Sequence, residues 1–440
     1  MANISFTEEQ ENELMKKVRW HLVPYCMLLY IVAMLDRVNI GFAALHMNKD
    51  LGISASMFGM LAGIFFLSYF IFEVPSNVIM HKVGARIWIT RILVSWGLVT
   101  VFLGWAQTVT HVAILRTLLG AAEAGFYPCI VLYFTFWFPK KHFAKTMSLF
   151  MCGMALANII VGPISSWIME NVVWMGMAGW RWMFILEGIP AIILGITTFF
   201  IMVDRPDQAK FLNAEEKQWL MAELEREHLA KQQKMQVANK WQVFKSGRVW
   251  HLSFCYLCYV MALYGLGMWM PQILRNLAKA MSLSNIGLIS TIPYMCAIVV
   301  MVYVAKRSDA KQERRYHTAL PIGLAFIGLV GITMTDNLII SMLLLCLAQS
   351  CIYAFVGTFW TLPNIYLSEA TAAVGIAIIN SVGNLGGFFG PYMVGFLKDA
   401  TGSNNSGMYF LASFAIMATI AILAIPKKDD KAEVKAALSE

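Results

Sequence analysis

Residues 337–368 read NLIISMLLLCLAQSCIYAFVGTFWTLPNIYLS, thirty-two positions without an Asp, Glu, Lys or Arg. Crossing the hydrocarbon core of a bilayer takes about 20 apolar residues in a helix, and only a helix or a closed barrel satisfies its backbone there. The run is long enough to be such a helix with its ends in the interfaces. Charge-free stretches of the same kind recur at 51–72, 92–115, 146–169, 249–274, 280–305, 316–335, 370–397 and 400–426. Of 440 residues, 59% are hydrophobic and 14% charged. Soluble domains carry roughly 25% charged residues, so this is not an ordinary globular chain.

The pattern predicts an all-α membrane protein with twelve transmembrane helices, at roughly 20–46, 57–80, 87–107, 111–138, 144–169, 182–203, 250–274, 284–305, 317–335, 338–362, 372–397 and 406–425. A polar segment, 204–249, separates the sixth from the seventh and carries nine Lys/Arg and seven Asp/Glu. Within it NAEEKQWLMAELEREHLAKQQ has helical spacing behind an Asn cap. The expected organisation is a six-helix bundle over 1–203, a cytoplasmic linker with an amphipathic helix over 204–249, and a second six-helix bundle over 250–440. The halves also repeat one another. Gly162-Pro163 returns as Gly390-Pro391, Pro139 as Pro363, and Arg86 as Arg314, all at nearly the same offset along the chain. Paired bundles around a midplane site are transporter architecture.

Loops 81–91, 139–145 and 306–315 contain eleven Lys/Arg, and the loops on the opposite side contain five. By the positive-inside rule both termini are expected in the cytoplasm. The polar segment before the first span lacks the apolar stretch of a cleaved signal peptide. The net charge of +8 is accounted for by those loops and calls for no nucleic-acid partner. The eight cysteines lie in or beside apolar spans; the C-x-x-C of Cys255 and Cys258 has no second Cys or His cluster, so no metal or other cofactor is expected.

All eleven charged residues between 280 and 426 fall in expected loops. The first half instead places Asp36, Arg37, Glu73, Arg116, Glu123 and Glu187 within spans. Each costs about 2.5–3.5 kcal/mol at bilayer depth, so each needs a partner or a function. Glu187 stands six residues into its span, beside Trp180-Arg181-Trp182, where pairing near the surface is expected. Glu73, close to the basic loop and Arg91, is expected in an ion pair at a cytoplasmic gate. Asp36, Arg116 and Glu123 fall deeper. Arg116 and Glu123, seven apart, share a helix face, whereas Asp36 and Arg37 diverge by about 100°. A helix-locking charge cluster is one explanation. The other is coupling: burial disfavours an ionised carboxyl and a neighbouring arginine favours it, so the acid can exchange a proton, and protonation releases the arginine for an anionic ligand. No histidine lies deep in a span, which leaves the acids as proton carriers. In the second half the polar candidates are neutral, Tyr264, Gln349, Tyr353, Trp360 and Asn380 among them, suited to hydrogen-bonding hydroxyls or closing over a ring.

RTLLGAAEAGFYP (116–128), WFP (137–139), DRVNIGFA (36–43), FEVPSN (72–77), GAR (84–86) and GWRWMFILEGIPA (179–191) together resemble the anion:cation symporter family of the major facilitator superfamily, most closely its carriers of tartrate, phthalate, hydroxyphenylacetate and sugar acids. The resemblance spans nearly the whole chain. It implies the major facilitator fold and proton-coupled import of a small organic anion by alternating access across a bacterial inner membrane, by a monomer. Asp36 and Glu123 match its proton-coupling acids; Arg37 and Arg116 match the arginines of its anion site, and Tyr69 and Asn380 its cavity. Tyr264 and Trp360 join these as candidate substrate contacts, and Glu73, Lys82, Gly84 and Arg86 as gating residues. One departure is His81, where the superfamily's loop motif carries an Asp. A second is Met154, at a position where sugar-acid carriers place a polar residue. The competing readings are an exporter or antiporter of amphipathic compounds, suggested by 29 methionines and many aromatics, and a transporter-like sensor. Nothing pairs a nucleophile with a base, so an enzyme is not expected.

Overall fold

Serine, threonine and asparagine punctuate the chain where apolar runs begin, and their side chains cap the helices that follow. Thr7 closes a capping box with Gln10, while Ser54, Thr108, Ser282 and Asn337 each accept a hydrogen bond from a first-turn amide. A computed structural model describes residues 6–235, 240–367 and 369–425. The last fifteen residues of the expected second bundle lie outside that set. In order the helices are α1 (Glu8–Val38), α2 (Ile40–Asp50), α3 (Ala55–Val83), α4 (Ala85–Leu103), α5 (Val109–Glu123), α6 (Phe126–Thr135), α7 (Lys140–Asn171), α8 (Gly179–Ile201), α9 (Ala214–Met235), α10 (Gly247–Leu277), α11 (Leu283–Lys311), α12 (Arg315–Ile332), α13 (Leu338–Phe359), α14 (Leu362–Tyr366), α15 (Glu369–Asn384), α16 (Gly386–Thr401) and α17 (Asn405–Ala424). Among the described residues, twelve helical stretches are long and apolar enough to cross a membrane. All-α architecture and the count of twelve agree with the sequence.

The helices run past their apolar cores. α1 begins twelve residues before the expected span, and α11 carries Lys306, Arg307 and Asp309 on its last turns. The fourth span is not one helix. Ala124 turns to φ −53, ψ 130 and Gly125 to φ +82, so α5 stops at Glu123 and α6 restarts at Phe126. Gly125 is required twice over: its φ is left-handed, and a Cβ there would meet Ser76 Cβ at 2.7 Å. The helix expected over NAEEKQWLMAELEREHLAKQQ is α9, started by Asn213, whose side chain accepts the Glu216 amide (2.8 Å) while Glu216 Oε2 accepts the Asn213 amide (2.8 Å). Lys17 on α1 pairs with Glu216 at 2.8 Å and ties α9 to the bundle.

Helices from before residue 203 meet those from after 250 most closely at the end remote from the start of α1. There α3 lies against α16, α7 against α11 and α2 against α10. Glycines allow it: a Cβ on Gly63 would meet the Phe388 carbonyl oxygen at 2.8 Å, and one on Gly287 would meet Ser166 Cβ at 2.7 Å. Two carboxylates latch this end. Asp399, at the end of α16, accepts the amides of Ala55 (3.3 Å) and Ser56 (2.7 Å) at the start of α3. Glu170, at the end of α7, accepts the Ser284 amide (2.8 Å) and hydroxyl at the start of α11. The two latches are copies. Glu170 corresponds to Asp399, Ser56 to Ser284 and the cap Ser54 to Ser282, each pair separated by almost the same length of chain as Gly162 and Gly390. An anion on a helix N-terminus contributes about 0.3–1 kcal/mol.

Two outcomes are expected. In the double variant Glu170→Gln/Asp399→Asn, spin labels at Gly52 and Gly402 should move apart in pulsed electron resonance; unchanged distances would show that the latches do not hold this end shut. Gly125→Ala should lower the unfolding temperature sharply, because it imposes both a strained φ and a collision, whereas Gly247→Ala, with nothing within 4 Å, should leave it near the parent value.

Candidate functional site

The intramembrane charges other than Glu73 separate into two groups on different faces of α1. On one face Arg37 pairs with Glu123 at the last residue of α5, beside the break in that span. Glu123 is fully enclosed, while 12% of the Arg37 side chain is exposed. The guanidinium carbon of Arg37 lies 5.2 Å over the ring of Tyr69 and 5.3 Å over that of Phe65. Arg116 flanks the same Phe65 ring at 5.1 Å but is fully buried, donating to the carbonyls of Leu61 and Ala62 at 3.3 Å each. Arg116 and Glu123 do share a face, yet Glu123 forms its ion pair with Arg37 and not with Arg116. Three atoms of this group are buried without a hydrogen bond: Arg37 Nε, Arg116 Nη1 and Glu123 Oε2.

The rings of Phe65 and Tyr69 cover the Arg37 guanidinium. Tyr30, Tyr69 and Tyr264 are its electrostatic neighbours. Tyr264 packs on Phe66 (centroids 4.3 Å), Tyr30 faces Tyr127 (5.8 Å), and Tyr256 packs on Trp360 (4.8 Å). Of the sequence candidates, Tyr69 lies under Arg37 and Tyr264 is among its electrostatic neighbours, while Trp360 packs on Tyr256 and Phe359. Asn380, on α15, is half-buried. Gln349 is fully buried and neither amide atom makes a hydrogen bond. Tyr30, Tyr127 and Tyr256 were not singled out from the sequence. Tyr30 had a signal: seven residues before Arg37, it shares that residue's helix face.

On another face of α1, Asp36 is fully buried and joins no ion pair among the described residues. Its Oδ2 accepts Trp96 Nε1–H from α4 at 2.6 Å, and its Oδ1 lies 3.4 Å from Asn39 Nδ2. The same Asn39 nitrogen donates to Glu187 Oε2 at 2.8 Å, and Ser165 Oγ donates to Glu187 Oε1 at 2.6 Å. The expected surface pairing of Glu187 is therefore corrected. α8 starts at Gly179 rather than 182, so Glu187 lies eight residues in, ~12 Å along the axis. Arg181 turns away to the carbonyls of Gly104 (3.1 Å) and Ala106 (2.6 Å).

Glu73 is buried and joins no ion pair among the described residues; its Oε2 makes no hydrogen bond. The expected partner Arg91 instead covers the Trp88 ring at 4.3 Å and donates to the Ala122 carbonyl. In the basic loop, Lys82 and His81 are exposed, while Arg86 covers the Phe199 ring at 4.2 Å. The Arg86 amide donates to Asp204 Oδ1 at 2.8 Å, and Gly84, at φ +97, lets that carboxylate approach. Asp204 thus supplies, from the far end of α8, an acid next to the loop in which His81 stands where an Asp was expected.

Comparison with known proteins accounts for this architecture. The model of the Major Facilitator Superfamily matches residues 26–391. An Agrobacterium vitis protein provisionally named a tartrate transporter is 42% identical over 97% of this chain and 94% of its own. An Acinetobacter baumannii protein named a quinolone resistance transporter is 37% identical over 91% of this chain and 92% of its own. Among solved structures, a D-xylose–proton symporter shares the fold with a TM-score of 0.75 at 14% identity, covering 93% of this chain and 98% of that one. The chain belongs to the Major Facilitator Superfamily and is a membrane transporter rather than an enzyme.

Proposed function

We propose that this transporter imports a small organic anion, of the tartrate, sugar-acid or aromatic-acid class, together with protons. The observation that carries this reading is the Arg37–Glu123 pair: the arginine has an exposed edge among aromatic rings, and its acid partner is enclosed with Oε2 unbonded. A proton reaching Glu123 neutralises the carboxylate and releases the guanidinium. A substrate carboxylate then takes its place, in the forked geometry that arginine offers and lysine does not. Departure of the substrate carboxylate restores the pair as Glu123 gives up its proton. The break at Ala124–Gly125 lets Glu123 move without bending a continuous helix.

In this reading Asp36 and Glu123 handle protons, and Arg37, with Tyr69, Tyr264, Trp360 and Asn380, binds the substrate. Arg116, enclosed on the α3 carbonyls, holds positive potential behind the site. Glu73 and the loop residues Lys82, Gly84 and Arg86 serve the cytoplasmic gate. The bundles 1–203 and 250–440 move against one another across the linker 204–249. With both termini in the cytoplasm of a bacterium, the latched end faces outward across the inner membrane. A monomer suffices, since Arg37, Glu123 and the rings around them all come from one chain.

The relative named for quinolone resistance keeps a second reading in view, export of amphipathic compounds, to which the aromatic walls are also suited. The direction of the gradient decides between them. In proteoliposomes acidified outside, tartrate, or failing it a sugar acid or phthalate, should accumulate and leak back when a protonophore is added. Failure of all three anions to accumulate would overturn the importer. Asp36→Asn and Glu123→Gln should abolish accumulation yet keep exchange of labelled for unlabelled substrate; accumulation by both variants would remove these acids from coupling. Arg37→Lys should weaken anion binding about tenfold, on the order of 1.4 kcal/mol, by calorimetry.

A further inference from the structure

Glu187 has no place in the exchange at Arg37, yet it is an intramembrane acid held by neutral groups only. We propose that Asp36 and Glu187 form a second proton-holding site, one proton held between two carboxyl groups that both accept from the Asn39 amide, separate from the Arg37–Glu123 pair that meets the substrate. Its role in transport rests on the proton-coupled reading above; the pairing itself does not.

The geometry carries the inference. Asn39 Nδ2 has two hydrogens, and they lie between Asp36 Oδ1 (3.4 Å) and Glu187 Oε2 (2.8 Å). The remaining carboxyl oxygens take Trp96 Nε1–H and the Ser165 hydroxyl, at 2.6 Å each. Every donor is uncharged. Neither acid has a Lys, Arg or His within ion-pair distance among the described residues. The elements packed around the pair supply Trp96 from α4 and Ser165 from α7; from α5, Glu123 and Arg116 face Asp36, with Arg116 engaged on the α3 carbonyls. Two ionised carboxylates joined by one neutral amide, with no cation in ion-pair distance of either among the described residues, would repel, and a proton on either removes the repulsion. Asn39 Oδ1 is also buried and makes no hydrogen bond.

The same site touches the latched end. Ser165, on Glu187, precedes Ser166, whose side chain lies against Gly287 of α11. A change in the proton held by the pair therefore acts on the α7 segment that seals against α11, while the Arg37 pair acts on substrate.

Infrared difference spectroscopy of the purified carrier in lipid, titrated between acid and alkaline buffer with no substrate, reads the pairing directly. Asp36→Asn and Glu187→Gln should each alter the same protonated-carboxyl band and shift the midpoint of what remains by at least about one pH unit, the mark of coupled sites. Asn39→Ala should uncouple the two acids into separate midpoints. Glu123→Gln should remove a different band, which also serves as a check that the Glu187 variant is folded when its own Glu123 band persists. In proteoliposomes with tartrate as probe, Glu187→Gln should change the external-pH profile of uptake, and Glu187→Asp should recover its shape. Bands and midpoint that ignore Glu187→Gln would overturn the pair while leaving proton-driven uptake intact. Coupled bands in a carrier with no proton-driven uptake of any anion offered would overturn the proposed function and leave the pair standing.

Discussion

An ionised group in hydrocarbon must be neutralised, and the first half of this chain does so in two different ways around a single helix. On one face of α1 an arginine neutralises an acid; on the other, acids lie only among neutral donors. The consecutive residues Asp36 and Arg37 never act as a pair, because adjacent side chains on a helix point about 100° apart. This forces the surrounding design. Arg37 needs Glu123 to be presented at mid-membrane by α5, and Asp36 needs α4 and α8 close enough to bring Trp96 and Glu187. The tight contact of α4 with α8 meets the second requirement, and the break after Glu123 meets the first.

Much of the fold was legible because hydropathy acts on whole segments. A charge-free run as long as 337–368 has few physical alternatives, and with the apolar spans that carry an isolated charge such segments count to twelve. The confinement of intramembrane charge to residues before 203 was equally plain, since the second half has no charge at depth. Helix ends were less legible: α1 and α11 continue into polar sequence that a hydropathy reading stops at, and the three residues by which α8 starts early turned Glu187 from a surface acid into a buried one.

Partner choice was not legible. Arg116 and Glu123 share a face of one helix, which suggested that they act together. The backbone carbonyls of Leu61 and Ala62, on a different helix, hold Arg116 instead, and no one-dimensional spacing reveals a carbonyl two spans away. EAGFYP at 123–128 reads as part of one continuous span; the left-handed Gly125, fitted against Ser76, makes it a break. Tyr127 and Tyr256 look like any lipid-facing aromatic until the tertiary structure sets the first against Tyr30 and the second against Trp360.

The latched end is written as a palindrome. Each latch crosses from one half of the chain to the other, and each consists of the same parts at nearly one offset: a carboxylate closing one helix, a serine-capped helix start receiving it. A two-fold interface has this property, since the contact of residue i with j is repeated as j with i. Half of this chain, paired with an identical copy, would therefore satisfy both latches with one carboxylate and one serine per subunit. The symmetry that closes the transporter is the symmetry of a dimer, preserved inside a single polypeptide.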